Sequence, residues 1–440
     1  MRIFYFILKI ILQYSLRIYY RPIVFNNAPK RFFGRTIFVS NHVSSFMDPL
    51  VVAVLQNPIV FFMTRSDVFT PVTRPILWSA QMLPIYREHD GEDTKGKNQE
   101  VFKKCNQVLK YGRNLLVFGE GFTDDVFIRR LKPIKKGTAK IGFGALESMN
   151  WKKKIYIQAI GINYTEPSVL GSSILISNSN KFCLNDYKEQ YLENPAKTIN
   201  DVTKRIEELI KEQITHVENK NWLTFHEHIS RLLSNGLHHQ DFNPKKSLKT
   251  RWKNSRKLAL WMNEQNLDEN QELTSLKDEL DTYFRLLKKT KVEERHVAEM
   301  TEKQKLSTKT QLLKMLLYAP FVPIGLIHFF FLYRFIKNFV EKKFRRKVFW
   351  SSVKMVMGLI LMGILMIPIV MIYHHTFIHD FWVSLLVYLF LPFFGLYTYQ
   401  WFKAYKEYKI RKYWSKKTLS SFVEKRKVLL SKIQVLIPKL

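Results

Sequence analysis

Cysteine is nearly absent from this chain: Cys105 and Cys183 are the only two in 440 residues. Two thiols make neither a zinc pattern nor a disulfide framework, and they read as ordinary buried thiols of a reducing compartment. The histidines build no metal set either. His238 and His239 stand beside Asn235-Gly236 as a solvated turn, and His375 and His379 lie at the edge of an apolar run, so no metal is expected. Acidic residues are scarce, 37 against 70 Lys and Arg, for a formal net charge of +33. So basic a chain seeks anionic partners, nucleic acid or an acidic lipid surface. No nucleic-acid recognition motif accompanies the charge, while 34 Phe and 20 Tyr suit a lipid interface, where amphipathic rings collect. No nucleic-acid partner is expected, and anionic membrane lipids are.

The N-terminal stretch also lacks a small-residue cleavage site. Within Ile3 to Phe25, Lys9, Gln13, Arg17 and Arg21 recur every fourth position, which on a helix leaves Phe4, Leu8, Ile11 and Tyr19 on the other side. Residues 1–25 are therefore expected to form a helix lying in the membrane surface, although a soluble amphipathic helix packed on its own domain fits the same spacing.

Residues 26–200 alternate short apolar runs with helix-like spacing. Strands are expected at Thr36–Ser40, Ile59–Thr64, Met82–Tyr86, Leu115–Phe118, Ile155–Gly161 and Ile174–Ser177, and helices at Gln99–Lys110 and Gly137–Ser148. This is the pattern of an α/β domain with a mixed sheet flanked by helices. Residues 201–311 read as a charged helical insert without visible chemistry, and residues 312–402 as a C-terminal transmembrane helical region. There, 355–373 and 381–402 carry no charge and are long enough to span a hydrocarbon core of about 30 Å. Basic clusters flank them at Lys342–Lys347 and across the tail, 403–440, whose 12 basic residues face 2 acidic ones. The positive-inside rule then puts both outer ends in the cytoplasm. A third uncharged stretch, 315–333, contains Pro320 and Pro323. Keeping its flanks on one side requires it to dip in and return, with a full crossing as the alternative.

The chemistry is concentrated in four short segments. In the first, a strand runs into Asn41-His42, with Asp48-Pro49 beyond. A histidine near its working pKa is suited to general base catalysis, and a carboxylate can fix its tautomer. Six positions do not put both on one helix face, so they must meet across a turn, and Asp48 could equally be a plain helix cap. Leu83-Pro84-Ile85-Tyr86-Arg87 ends a strand with a guanidinium fork for phosphate. Leu115 to Thr123 delivers Glu120, then Gly121, where a ligand can approach the backbone closely. Leu131 to Ala139 places Lys135 and Lys136 at a helix start, where phosphate is favoured.

In this order, the segments resemble the family of glycerol-3-phosphate and 1-acylglycerol-3-phosphate O-acyltransferases, from about Thr36 to about Pro167, with Ile160-Gly161-Ile162-Asn163-Tyr164 standing for the family's fourth block. The five residues between His42 and Asp48 resemble a longer-spacing branch; the commoner spacing is four. Gly119 stands where the family has proline, and Phe122-Thr123 where it has Thr-Arg, which removes one basic contact. The resemblance implies a membrane-bound enzyme with His42 as base and Asp48 as its orienting carboxylate. Asn41, Arg87, Glu120, Gly121, Thr123, Lys135 and Lys136 would bind substrate. It implies no cofactor beyond an acyl thioester donor, acyl-CoA or acyl carrier protein, and an acceptor that is 1-acylglycerol 3-phosphate, giving phosphatidic acid, or else glycerol 3-phosphate or another lysolipid. The expected location is integral in a cytoplasmic or inner membrane, with the catalytic domain facing the cytoplasm. The reading from another class is an inactive membrane tether or scaffold.

Overall fold

The computed structural model describes residues 2–31, 34–57, 59–86, 94–239, 246–303, 306–416 and 419–437. The chain divides into two compact units, Met1–Leu223 with Lys245–Gln265, and Thr224–Pro244 with Asn266–Leu440.

The first unit is built on an eight-stranded mixed sheet. Helix α1 (Arg2–Tyr19) leads into β1 (Tyr20–Asn26). There follow β2 (Thr36–Ser40), α2 (Met47–Leu55), β3 (Val60–Arg65), α3 (Arg74–Ser79), β4 (Met82–Ile85), α4 (Thr94–Lys110), β5 (Asn114–Phe118), α5 (Gly137–Ser148), β6 (Tyr156–Tyr164), β7 (Ser172–Asn178) and β8 (Phe182–Cys183). The order is β1-β7-β6-β2-β5-β3-β4, with β8 pairing β6. The stretch β6-β2-β5-β3-β4 is parallel throughout, while β7 and β8 run antiparallel to β6. Helices α6 (Lys188–Glu193) and α7 (Pro195–Gln213) follow. Alternation along the central strands sends Ile37, Val39, Leu115, Val117, Ile157 and Ala159 into one core, where Val101, Cys105 and Leu109 of α4, Phe143 and Leu146 of α5, and Val202, Ile206 and Ile210 of α7 close over them. Burial pushes the Cys105 thiol up to about 12, as for an inert core thiol; Cys183, by contrast, is only half-buried.

Every expected strand is present within a residue or three of its expected ends, and Gly137–Ser148 is helical over that range. The N-terminal helix, however, ends at Tyr19, and Tyr20–Asn26 is a strand lying parallel to β7 at the sheet edge. An edge is where Pro22, which cannot donate to a ladder, is tolerated. Tyr5, Leu12 and Leu16 of α1 point inward, while Ile3, Phe6, Ile7, Ile10 and Tyr14 join Phe4 and Ile11 on the exposed face. Lys9 does not stand out with the other polar residues: its Nζ donates to the Gln56 carbonyl at 2.8 Å, and burial holds its ammonium down at about 8.

The boundary expected at residue 200 falls inside α7. Residues up to Leu223, together with α9 (Leu248–Glu264), belong to the sheet unit. The second unit takes most of α8 (Leu223–Leu232), then α10 (Gln271–Thr290), α11 (Glu294–Lys303), α12 (Lys309–Tyr318), α13 (Val322–Lys343), α14 (Trp350–Tyr373), α15 (Phe381–Lys416) and α16 (Ser420–Leu436).

Among the described residues of this unit, three stretches are long and apolar enough to cross a membrane: Lys309–Lys343, Lys347–Ile378 and Phe381–Trp414. The stretch 315–333, expected to dip in and return, is helical throughout. The chain is helical from α12 through one 3-10 turn, Ala319–Phe321, into α13. Pro320 sits in that turn and Pro323 in the first turn of α13, where a missing N–H costs nothing. The α12–α13 segment runs antiparallel to α15. Ser307 meets Arg411, whose Nη1 donates to its carbonyl at 3.0 Å. Further along, Tyr318 stacks on Tyr397, and Phe329 packs with Leu391 and Met366.

Candidate active site

The centre of the sheet brings the site together. β6, β2 and β5 are adjacent and parallel, so their carboxyl ends open on the same edge, the customary place for a ligand in an α/β sheet. From those three ends come Tyr164, Asn41-His42 and Gly119-Glu120-Gly121.

After β2 the chain turns tightly, with Ser45 in the left-handed region at φ +48°, and enters α2, every residue of which is buried. Asp48, its second residue, is wholly buried. Its Oδ2 lies 2.9 Å from His42 Nδ1 and accepts the Ser44 N–H at 2.7 Å; its Oδ1 accepts the Tyr164 hydroxyl at 2.9 Å. The carboxylate thus reaches back to the histidine and does more than cap α2. Burying an anion needs such donors, and the burial that isolates this cluster also pushes the Tyr164 phenol well above its ordinary value. Donation from Nδ1–H to Asp48 leaves the lone pair of the ring on Nε2. The imidazole stacks on Phe118, centroids 4.4 Å apart, and its side chain keeps 18% exposure. It is a fixed ring with one edge open, the arrangement a general base needs.

Glu120 supports the same loop from β5. Its Oε1 accepts the His42 backbone N–H at 2.6 Å, and its Oε2 accepts that of Lys132 at 3.3 Å. Burial pushes this carboxyl up to about 7, against the two backbone donors and Lys132, which lower it. Read from sequence as a ligand for a polyol, Glu120 has both oxygens engaged by the backbone. Asn41 is likewise committed: its carboxamide donates to the Ile162 carbonyl at 3.1 Å and accepts the Ile162 N–H at 2.8 Å, tying the His42 loop to β6.

The glycines on either side of Glu120 have separate reasons. A Cβ on Gly119 would fall 2.9 Å from Ile134 Cγ2, so no larger residue fits there without displacing it. Gly121 has φ +78°, and its open face lies against the aliphatic end and Nζ of Lys135. Lys135 and Lys136 are exposed just before α5, and Thr123 is buried nearby in sequence. Arg87 lies outside the described residues. The structure therefore brings His42, Asp48, Asn41 and Glu120 into one bonded cluster, with Gly121 and Lys135 in contact beside it. Sequence reasoning missed three participants. Tyr164 showed only as the last residue of the fourth family block, beyond the expected end of its strand at Gly161. Phe118 showed only as the last residue before a glycine. Lys132 was one cation among several; its Nζ donates to the Phe122 carbonyl at 3.0 Å and lies 3.9 Å over that ring.

Residues 25–163 match the Acyltransferase family model, a stretch that runs from the end of β1 to the penultimate residue of β6 and includes His42, Asp48 and Glu120. Among solved structures, the chain is similar to the crystal structure of the 1-acyl-sn-glycerophosphate (LPA) acyltransferase PlsC from Thermotoga maritima, at 17% identity over 46% of this chain and 79% of that one, with a TM-score of 0.32. No curated protein matches the chain.

Proposed function

We propose that the protein is a membrane-bound O-acyltransferase that moves an acyl chain from a thioester, acyl-CoA or acyl carrier protein, onto 1-acylglycerol 3-phosphate, making phosphatidic acid. The observation that carries this reading is the His42–Asp48 pair: a fully buried carboxylate 2.9 Å from the ring of a partly open histidine, within the stretch that matches the Acyltransferase family model. His42 Nε2 takes the proton of the acceptor hydroxyl. The oxygen attacks the thioester carbonyl, a C–O bond forms, the C–S bond breaks, and the thiolate leaves with a proton returned from His42. Asp48 keeps the tautomer and stabilises the imidazolium. Asn41 and Glu120 hold the loop that carries the base. Lys135, in contact with Gly121, and Lys136 stand just before the first turn of α5, whose N–H groups favour phosphate; Thr123 and Arg87 are further candidates for acceptor contacts. The five-residue His–Asp interval favours glycerol 3-phosphate as the second choice of acceptor. A tether would have no use for a buried, aligned dyad.

The contact between Ser307 and Arg411 supports the membrane arrangement. A chain that enters and leaves a bilayer on one side crosses it an even number of times, so the three apolar stretches do not all cross. The basic residues at those ends favour the cytoplasmic side. The test is acyl transfer by detergent-purified protein, offered labelled acyl-CoA or acyl carrier protein with glycerol 3-phosphate, 1-acylglycerol 3-phosphate and a panel of lysolipids, beside folded His42→Ala. Transfer to 1-acylglycerol 3-phosphate that the variant lacks supports the reading; transfer undiminished in the variant removes it.

A further inference from the structure

The Asp48 carboxylate is held by three donors, none of them a lysine or arginine: Ser44 N–H and His42 Nδ1 on one oxygen, Tyr164 Oη on the other. Its full negative charge is therefore shared among hydrogen bonds, and how it is shared governs how strongly it favours a charged imidazole. Tyr164 is placed to control that share. It lies at the end of β6, fully buried, against Tyr20 with ring centroids 5.6 Å apart. Its own carbonyl is held by Arg129 Nη1 at 2.9 Å, so neither backbone nor ring has room to turn away. The other ionisable groups acting on this cluster are Tyr19, Glu166 and Glu120. None of them has a hydrogen bond to Asp48 among the described residues.

We propose that Tyr164 is a positioning residue for acyl transfer: by donating to Asp48 Oδ1 it fixes the rotation of the carboxylate and tunes, through Asp48, the basicity of His42. The inference rests on the proposed role of the dyad. The physics gives it a sign. A hydroxyl on Oδ1 draws charge away from Oδ2. Removing it concentrates charge opposite Nδ1, stabilises the imidazolium, and raises the pH at which His42 loses its proton. It also frees the carboxylate to rotate, and a misaligned base works more slowly.

The experiment compares full-length Tyr164→Phe with protein carrying 3-fluorotyrosine at position 164, whose more acidic phenol is a stronger donor. Tyr164→Phe is expected to lower kcat about tenfold, the scale of a hydrogen bond to a charged group, with KM for both substrates little changed. Its acid limb in kcat/KM should move to higher pH, while fluorotyrosine should move that limb to lower pH. Tyr20→Phe, which removes only a hydroxyl bonded to the Pro167 carbonyl, should leave the limb in place. Limbs that stay put in both Tyr164 variants, or move the same way, overturn the inference. If Tyr164→Phe does not fold, the fluorotyrosine shift decides alone. Full activity in His42→Ala would instead remove the dyad itself, a result separable from either outcome at Tyr164.

Discussion

The two units each contain a histidine joined to a buried carboxylate at 2.9 Å: His42 with Asp48 in the sheet unit, and His296 with Glu407 in the helical one. The pairs are alike in distance and opposite in use. His296 is completely buried and has both nitrogens engaged, Nδ1 with the Glu293 N–H and Nε2 with Glu407. Glu407 is also gripped by Arg295 at 2.8 Å and Arg411 at 2.7 Å. Although Glu293, His296 and Glu407 come within metal-ligand spacing of one another, two guanidiniums already occupy the carboxylate. Such a cluster is neutralised, closed and structural. His42 has no hydrogen-bond partner on Nε2 among the described residues, its carboxylate has no arginine, and its ring is partly open. A histidine–carboxylate distance says little by itself; what matters is whether the second nitrogen is spent and whether a fixed cation has already claimed the charge.

The sharpest way to break this contrast is to remove each histidine. His42→Ala should lower kcat/KM by about 10⁴-fold, the upper range for losing a general base, with the melting temperature nearly kept. His296→Ala should do the reverse, lowering the melting point while the folded fraction keeps its turnover within about twofold. Equal catalytic losses would erase the distinction.

Substitution of each carboxylate sharpens it. Asp48→Asn should cost roughly 10²- to 10³-fold in kcat, since an amide can hold the ring in the wrong tautomer. Glu407→Gln removes the anion that Arg295, Arg411 and His296 share, leaving Arg295 with Glu293 and Arg411 with Glu299, and should destabilise the protein by about 2–3 kcal/mol, read by thermal unfolding in detergent.

Glu120 offers a pH test within the sheet unit. Its folded pKa, about 7, lies above its ordinary value of 4.5, so the folded state holds this proton more tightly than the unfolded chain. The group's favourable contribution is full below about pH 4.5 and is lost as pH rises to about 7. Wild type should melt progressively lower across that window relative to Glu120→Gln, whose profile there should be flatter. A smaller effect is expected at Gly121: Gly121→Ala forces a side chain into φ +78° and should cost about 1–2 kcal/mol, less than the loss at Glu407.

The sequence made the sheet legible because its central strands are short apolar runs bounded by breakers, and made the dyad legible because His42 and Asp48 are six positions apart. Tyr20–Asn26 was read as the end of a helix: its pairing is parallel with β7, some 150 residues away, and Pro22 spoils its alternation. The bond from Tyr164 to Asp48 spans 116 positions and leaves no local trace. Glu120 reads from sequence as a polyol ligand, yet its partners are backbone N–H groups, which every residue but proline has and no sequence pattern marks. The basic tail shows the same limit. Its excess charge suggested lipid headgroups, but Arg411 pairs with Glu299, Arg426 with Glu294 and Lys432 with Glu279, acids that a one-dimensional reading assigns to a separate segment.

Those pairs also set a timetable. Glu294 and His296 leave the ribosome more than a hundred residues before Glu407 and Arg426, a delay of roughly 5–25 s at ordinary elongation rates. During that interval the Glu294 carboxylate, destined for complete burial, waits for its arginine and His296 for its carboxylate, and the apolar helices between these partners are being made. The helical unit can close only when its last helix is finished, so a nascent chain stalled anywhere after α11 presents an unlatched acidic face and a set of apolar helices together, the form in which quality control would meet it.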